Sequence, residues 1–153
     1  MAKEYLDKLR KSPIHLLHRA GQCAYEVFQT EIKEGDLTPR QLAVLMTVAS
    51  HEGLSQTGLV DLTGIDRSTL ADIVRRMQRK GLLQRRRTRE DARAYAVKLT
   101  DEGKAVLNSA TPLSERVDQR ILEALPAASR QKFLEDLTTI VDALHTISGP
   151  APE

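Results

Sequence analysis

The chain has 153 residues, of which 41% are hydrophobic and 29% charged, and its formal net charge is +2. This length suffices for one domain with a buried core and is too short for two independent domains. No apolar run reaches the roughly 18 residues that a membrane helix needs, so we expect no membrane partner.

The N-terminus mixes charges of both signs and contains no apolar stretch, which argues against a secretory signal peptide. The single cysteine, Cys23, cannot form an internal disulfide and cannot by itself make a zinc site. Together these features predict a cytoplasmic protein without a metal or another cofactor.

The first predicted helix begins at Ser12 and Pro13, a cap followed by a first-turn proline, and runs towards Gly35. A second helix begins at the capping box that Thr38 forms with Gln41. In the first helix, apolar residues recur at helical spacing: Ile14, Leu17, Ala20, Ala24, Val27 and Phe28. In the second, the stripe expected to be buried is Leu42, Leu45, Met46 and Ala49.

Two shorter helices follow and are separated by a tight turn. Ser55 caps the first of them, which continues through Leu59 and Leu62 to a left-handed Gly64. The next runs from Asp66 to Gly81, and its inward positions are Leu70, Ile73, Val74 and Met77. This pair predicts a helix-turn-helix, whose second helix enters the DNA major groove.

Residues 82–87 and 94–99 have the pattern of paired strands, with 88–93 as the loop between them. After them, Thr100 caps a fifth helix, which Pro112 is expected to kink or split, and Pro126 precedes a sixth. The sixth helix has an apolar face without an obvious partner in one chain: Phe133, Leu137, Ile140, Val141, Leu144 and Ile147. A second copy of the chain would supply that partner, which predicts a homodimer.

Charge is distributed unevenly along the chain. Between Arg67 and Lys98 there are eleven lysines and arginines against three acidic residues, whereas the rest of the chain has twelve against eighteen. A basic segment that coincides with a helix and a hairpin favours double-stranded DNA as a partner. The alternative is a solvated charged surface.

Three segments resemble those of the MarR family of winged helix-turn-helix regulators. They are Leu37-Thr38-Pro39-Arg40-Gln41, Asp66-Arg67-Ser68-Thr69-Leu70 and Arg76-Met77-Gln78-Arg79-Lys80-Gly81-Leu82-Leu83. Two further segments are similar to the family's wing and to the start of its long dimer helix: Asp91-Ala92-Arg93 and Val97-Lys98-Leu99-Thr100-Asp101-Glu102-Gly103. The resemblance implies a mainly α fold with a small β-hairpin wing, in one domain over residues 1–153. Residues 37–100 would form the DNA-binding lobe, and residues 12–35 and 101–147 the dimerisation helices. It further implies a dimeric transcriptional regulator, usually a repressor, that binds a palindromic operator.

Several side chains are candidates for DNA contact. Ser68 and Thr69 can hold a phosphate or a base edge, or else only cap their helix. By the family pattern Arg93 enters the minor groove. Asp91 can hold the Arg93 guanidinium in position, or the two can form a surface ion pair that contributes little to stability. The full predicted set is Arg67, Ser68, Thr69, Asp72, Arg75, Arg76, Arg79, Arg87, Arg89, Asp91 and Arg93.

The first helix carries His15, His18, Arg19 and Gln22 on one face, a set that suits a planar carboxylate. Exposed polar residues or satisfied core histidines are the alternative. The stretch from Pro13 to Ala20 also resembles a MarR subgroup that senses aromatic acids or their CoA thioesters. That resemblance implies an effector of the hydroxynicotinate, benzoate or hydroxycinnamate type.

Four other hypotheses differ in mechanism. A redox sensor would use Cys23, but we expect a buried thiol without a cationic partner, which is normally inert. A metal sensor would need a compact ligand spacing that the histidines and Cys23 do not form. An enzyme would need a phosphate loop, nucleophile elbow or carboxylate pair, none of which the sequence contains. A nonspecific chromatin-type protein would bind any duplex with similar affinity.

Overall fold

A computed structural model describes residues 2–33, 36–87 and 95–148, and within these ranges it contains seven α-helices and a two-stranded antiparallel sheet. In chain order they are α1 Ala2–Arg10, α2 Pro13–Glu31, α3 Pro39–Ser50, α4 Gln56–Thr63, α5 Arg67–Arg79, β1 Leu83–Arg87, β2 Tyr95–Leu99, α6 Asp101–Glu123 and α7 Ala127–Ser148.

The helices begin where the capping residues predict. The Thr38 hydroxyl accepts the Gln41 N–H while the Gln41 side chain accepts the Thr38 N–H, a complete capping box. Ser55 caps α4 in the same manner, and Gly64 closes that helix with φ +67°. Glycine adopts this left-handed conformation without a steric penalty, so the turn between α4 and α5 is short.

Three features of the helices differ from the predictions. Helix α1 is not among the predicted helices; Glu4 and Lys8, one turn apart on it, form an ion pair of 2.8 Å. Helix α2 ends at Glu31, with Ile32 as its C-cap, before the predicted stop at Gly35. Pro112, predicted to kink or split its helix, lies inside a continuous α6, so the split does not occur.

The core lies between α3, α4, α5, the hairpin and the facing side of α6. All four apolar residues predicted to face inward from α5 are buried. One predicted position is wrong, because Ala49 is exposed; Val44 and Val48 are buried in α3 together with the predicted Leu42 and Leu45. The sequence pattern of α3 is apolar on more than one face, so periodicity alone does not choose between these neighbours.

The two strands pair from Leu83 with Leu99 to Arg87 with Tyr95. The hairpin is fixed to the helices by the Val97 N–H, which donates to the Leu54 carbonyl at 2.9 Å. The predicted loop at 88–93 and the predicted strand residue Ala94 lie outside the described residues. Since β1 follows α5 after a short turn, the hairpin lies next to the end of that helix.

Helix α7 differs from the others in its burial. None of its described side chains is buried, and Val141, Leu144 and Ile147 are 63%, 53% and 80% exposed. Exposed apolar residues also lie on α1 and on the first half of α2, among them Tyr5, Leu6 and Ile14. An apolar surface of this extent is typical of an interaction face.

Candidate nucleic-acid interface

The start of α5 is organised around the carboxylate of Asp66. Its Oδ2 accepts the Thr69 N–H at 3.0 Å and the Ser68 hydroxyl at 2.9 Å. Hydrogen bonds from the Thr69 side chain, the Thr69 amide and Ser68 lower the pKa of Asp66 from 3.8 to about 2. Asp66 is therefore the N-cap of α5, and the Thr69 amide is already occupied by it; DNA contact by the Ser68 and Thr69 side chains stays a prediction.

The outer face of α5 presents guanidinium groups to solvent. Arg76 Nε lies 2.9 Å from the Asp72 carboxylate, and Arg75 Nη2 lies 4.0 Å from it. The side chains of Arg75 and Arg76 nevertheless remain 60% and 62% exposed, and Arg67 and Arg79 are exposed as well. Asp72 thus orients two arginines on a helix whose opposite face is in the core.

The hairpin adds more positive charge beside α5. Arg85 donates to Gln56 Oε1 at 2.8 Å, and the Arg87 guanidinium lies 5.9 Å from the ring centre of Tyr95. Arg85 and Arg86 are absent from the predicted DNA-binding set, although the run of three arginines in β1 is a signal that could have included them. The predicted wing contacts Arg89, Asp91 and Arg93 lie outside the described residues.

A helix-turn-helix with an arginine-lined second helix and an attached hairpin agrees with three comparisons. A sequence model of the MarR family matches residues 35–94. The transcriptional regulator HosA of Escherichia coli is 33% identical over 127 residues, which cover 83% of this chain and 93% of HosA. The chain belongs to the MarR family. It is a transcriptional repressor of that family, which acts by binding DNA.

Solved structures of other MarR proteins agree over most of the chain. PcaV of Streptomyces coelicolor, in complex with its natural ligand, has a TM-score of 0.84 and 34% identity, covering 90% of this chain and 96% of PcaV. BpsR of Bordetella bronchiseptica, whose DNA binding is regulated by 6-hydroxynicotinic acid, has a TM-score of 0.75 and 29% identity. That match covers 83% of this chain and 96% of BpsR. The prediction of a winged helix-turn-helix of the MarR type is confirmed.

The four predicted effector residues of this MarR protein lie on α2. Arg19 Nη1 donates to Gln22 Oε1 at 3.3 Å, and Gln22 Nε2 donates to Glu26 at 3.4 Å. His18 and Gln22 line a depression of about 440 Å³, whereas His15 and Arg19 do not. The other lining residues, Ile14, Leu17 and Gly21, also belong to α2. One helix thus forms the whole depression, and the winged lobe contributes none of its lining residues.

Cys23 also lies on α2, and its side chain is exposed. The expectation of a buried thiol is therefore wrong. The apolar neighbours along the sequence do not enclose it, because that part of α2 projects from the core of the single chain.

A groove of about 660 Å³ lies between the end of α3, the hairpin and the start of α6. Its lining includes three cations, Arg86, Lys98 and Lys104, and three carboxylates, Glu52, Asp101 and Glu102. None of these residues is among the predicted site residues. Their charges of opposite sign largely compensate one another, and no excess of one sign selects a ligand.

No helix in the described ranges is long and apolar enough to cross a membrane. Among the same residues, no group of three or more histidine, cysteine, aspartate or glutamate side chains is arranged to hold a metal ion.

Proposed function

We propose that the chain acts as a homodimer that binds a palindromic operator and is released by a small aromatic carboxylate. The candidate effectors are hydroxynicotinate, benzoate and hydroxycinnamate derivatives or their CoA thioesters. The proposal depends on one observation above all. The arginine face of α5 and the apolar faces of α1, α2 and α7 are exposed on the same chain. The first face suits a polyanion, and the second suits another copy of the protein.

The apolar surface supports the dimer. A charge-poor face that includes Val141 and Ile147 would be costly to leave in water, and two-fold association buries the same face on both subunits. A two-fold dimer presents two copies of α5 to successive turns of DNA, about 34 Å apart. The operator is accordingly expected to be a palindrome with that spacing.

Within each half-site, the arginines would divide into three groups. Arg75, Arg76 and Arg79 would read base edges or bind phosphates from α5, with Asp72 holding two of them in position. Arg87 and Arg89 would contact the backbone near the wing. Arg93, held by Asp91, would enter the minor groove.

The effector would bind on the α2 face that carries His15, His18, Arg19 and Gln22. Imidazole and guanidinium groups are suited to a carboxylate, and Ile14 and Leu17 offer apolar contact to an aromatic ring. Because this chain's own lining comes from one helix, the site would need the second subunit to enclose the ligand. A ligand that prefers one spacing of the two α5 helices would then change the affinity for the operator. A coupling free energy of about 1 to 3 kcal/mol between the two sites corresponds to a change of roughly 5 to 150 fold.

The test begins with selection of a duplex from a random pool by the purified protein. Fluorescence anisotropy then measures affinity for that duplex, with random DNA as competitor, and sedimentation measures the oligomeric state. We expect a dimer that prefers the selected palindrome by about 10³ or more. Arg75→Ala should weaken binding, whereas Lys132→Ala, which removes a cation from α7, should not. A monomer without sequence preference would contradict the proposal.

The effector is tested by thermal shift with 6-hydroxynicotinate, benzoate, hydroxycinnamates and their CoA esters. A compound that binds the folded dimer raises its melting temperature, and the true effector must also release the operator. His18→Ala should abolish both effects, whereas His51→Ala, at the end of α3, should preserve them. Unchanged induction in the His18 variant would refute this placement of the ligand.

The exposure of Cys23 favours a second candidate, a redox-sensing repressor of the same family. An accessible thiol can be oxidised, and a change on α2 would affect the proposed dimer helices. Peroxide treatment should then release the operator from the wild type and not from Cys23→Ser. Equal release from both proteins would exclude this mechanism.

A further inference from the structure

Helix α5, the second helix of the helix-turn-helix, is here called the recognition helix. Thr100 joins the end of this helix to the start of α6. Its N–H donates to the Leu82 carbonyl at 3.1 Å, and its hydroxyl donates to the Gly81 carbonyl at 2.5 Å. The same hydroxyl oxygen accepts the Gly103 N–H at 3.0 Å, which caps α6. One hydroxyl therefore acts both as the cap of α6 and as a donor to the turn that ends α5.

The turn that Thr100 contacts is itself bonded to the recognition helix. Gly81, at φ +74°, donates to the Gln78 carbonyl at 3.0 Å, and the Leu82 N–H donates to the Met77 carbonyl at 2.9 Å. This pair of bonds is the Schellman arrangement that closes a helix. A continuous series of backbone hydrogen bonds thus leads from the last turn of α5 through Thr100 to the first turn of α6.

The backbones at this junction are also in close contact. Gly103 is buried, and a Cβ atom built on it would lie 2.1 Å from the Leu82 carbonyl oxygen. No residue with a side chain fits at this position without displacing the backbone. The start of α6 therefore lies directly against the exit of α5, with no flexible side chain between them.

We infer that Thr100 is a positioning residue that fixes the angle between the recognition helix and α6. Through that angle it sets the half-site spacing that the dimer accepts. The inference depends on the proposed function, in which two subunits read one palindrome. It assigns to Thr100 a role in operator selection although its bonds are to Gly81, Leu82 and Gly103 and the residue is not among the expected DNA contacts.

The length of α5 makes that angle consequential. Its 13 residues span about 20 Å at about 1.5 Å per residue. A rotation of about 10° at the exit would move the start of the helix by about 3.4 Å, the rise of one base pair. A loosening of this size at Thr100 would supply the translation that a one-base-pair change in spacing requires, and the accompanying rotation of about 34° about the DNA axis would be taken up by the duplex and the dimer.

The test separates the two functions of the hydroxyl. Thr100→Asp keeps the cap of α6, since aspartate is a good N-cap, but it cannot donate to the Gly81 carbonyl at neutral pH. Thr100→Ser keeps both functions. Thr38→Asp is the matched control, because Thr38 caps α3 and its hydroxyl makes no comparable bond to α5.

Each protein is titrated with the duplex that the wild type selects and with versions in which one base pair is inserted or removed between the half-sites. We expect the wild type, Thr100→Ser and Thr38→Asp to disfavour altered spacing by at least about tenfold, the effect of one mismatched base pair. In Thr100→Asp most of this ratio should be lost. Thermal unfolding of all four proteins checks that the variants fold.

If the wild type discriminates and Thr100→Asp keeps the same ratio, the inference about Thr100 is overturned while the proposed function stands. If the wild type itself has no preference for any spacing, the proposed two-fold recognition fails instead. Should Thr100→Asp not fold, Thr100→Val replaces it. That variant removes the bond to Gly81 together with the cap, and it is compared with Thr38→Val under the same criterion.

Discussion

Replacing Gly103 by alanine tests the contact between α5 and α6. If the two backbones are in close contact there, the substitution should lower the free energy of unfolding and not raise it. In a helix interior this substitution normally stabilises by roughly 0.5 to 1 kcal/mol, because alanine loses less backbone entropy on folding. Here the added Cβ would lie 2.1 Å from the Leu82 carbonyl oxygen, against the 3.0 Å below which such contacts essentially never occur. The two backbones must therefore separate by about 1 Å.

That separation has an energetic cost that can be bounded. It would lengthen the Thr100 N–H bond to Leu82 from 3.1 Å to about 4 Å, which breaks it, and stretch the hydroxyl bond to Gly81 from 2.5 Å to about 3.5 Å, which weakens it, a combined loss of about 1 to 3 kcal/mol. Residual overpacking adds about 1 to 3 kcal/mol, and the helix propensity of alanine offsets about 1 kcal/mol. We expect a net destabilisation of about 1 to 5 kcal/mol.

Gly21→Ala is the matched control, since Gly21 also lies within a helix but a Cβ there meets nothing within 4 Å in the chain. Urea unfolding followed by circular dichroism, at equal protein concentrations, should give Gly103→Ala a lower midpoint than the wild type and Gly21→Ala an equal or higher one. A Gly103→Ala protein as stable as the wild type would refute the argument from close approach. A marked loss in Gly21→Ala would indicate that a second subunit packs against α2 at that position.

Three further predictions concern the cap of α5, the wing and the dimer. Because the folded-state pKa of Asp66 is lowered to about 2, its contribution to stability is present above its ordinary pKa of 3.8 and is lost as the pH falls towards 2. Asp66→Asn should therefore lose less stability than the wild type between about pH 6 and pH 3 in urea titrations. Arg93→Ala should weaken operator binding in anisotropy measurements and leave the melting temperature unchanged. Val141→Asp should shift the protein to a monomer in sedimentation, whereas Thr138→Asp, a more polar position on the same helix, should not.

The sequence predicts local structure best where one residue type satisfies one steric or hydrogen-bonding need. Thr38 and Ser55 cap their helices as expected, and Gly64 adopts the left-handed turn, because each effect operates within a few residues. The inward stripe of α5 is confirmed because its remaining positions are strongly polar, which leaves one choice of face.

The features that the sequence does not predict depend on distant parts of the chain. Cys23 has apolar neighbours in sequence, yet it is exposed, since α2 extends beyond the lobe. Gly103 would be interpreted from sequence as an ordinary glycine in the first turn of a helix. Its buried contact with Leu82 exists because the hairpin returns the chain to the exit of α5 after about twenty residues. Periodicity carries no information about such a contact.

The exit of α5 is held from a second direction as well. Lys80, the C-cap of α5, donates from its ammonium to the Asp36 carbonyl at 2.8 Å, in the connection between α2 and α3. Thr100 holds the same turn from the side of α6. If the proposed effector displaces α2, that movement would act on the exit of α5 through Asp36 while α6 holds it, and α5 would turn about that end. The largest movement would occur at the opposite end, where Asp66 organises Ser68 and Thr69, about 20 Å from the pivot.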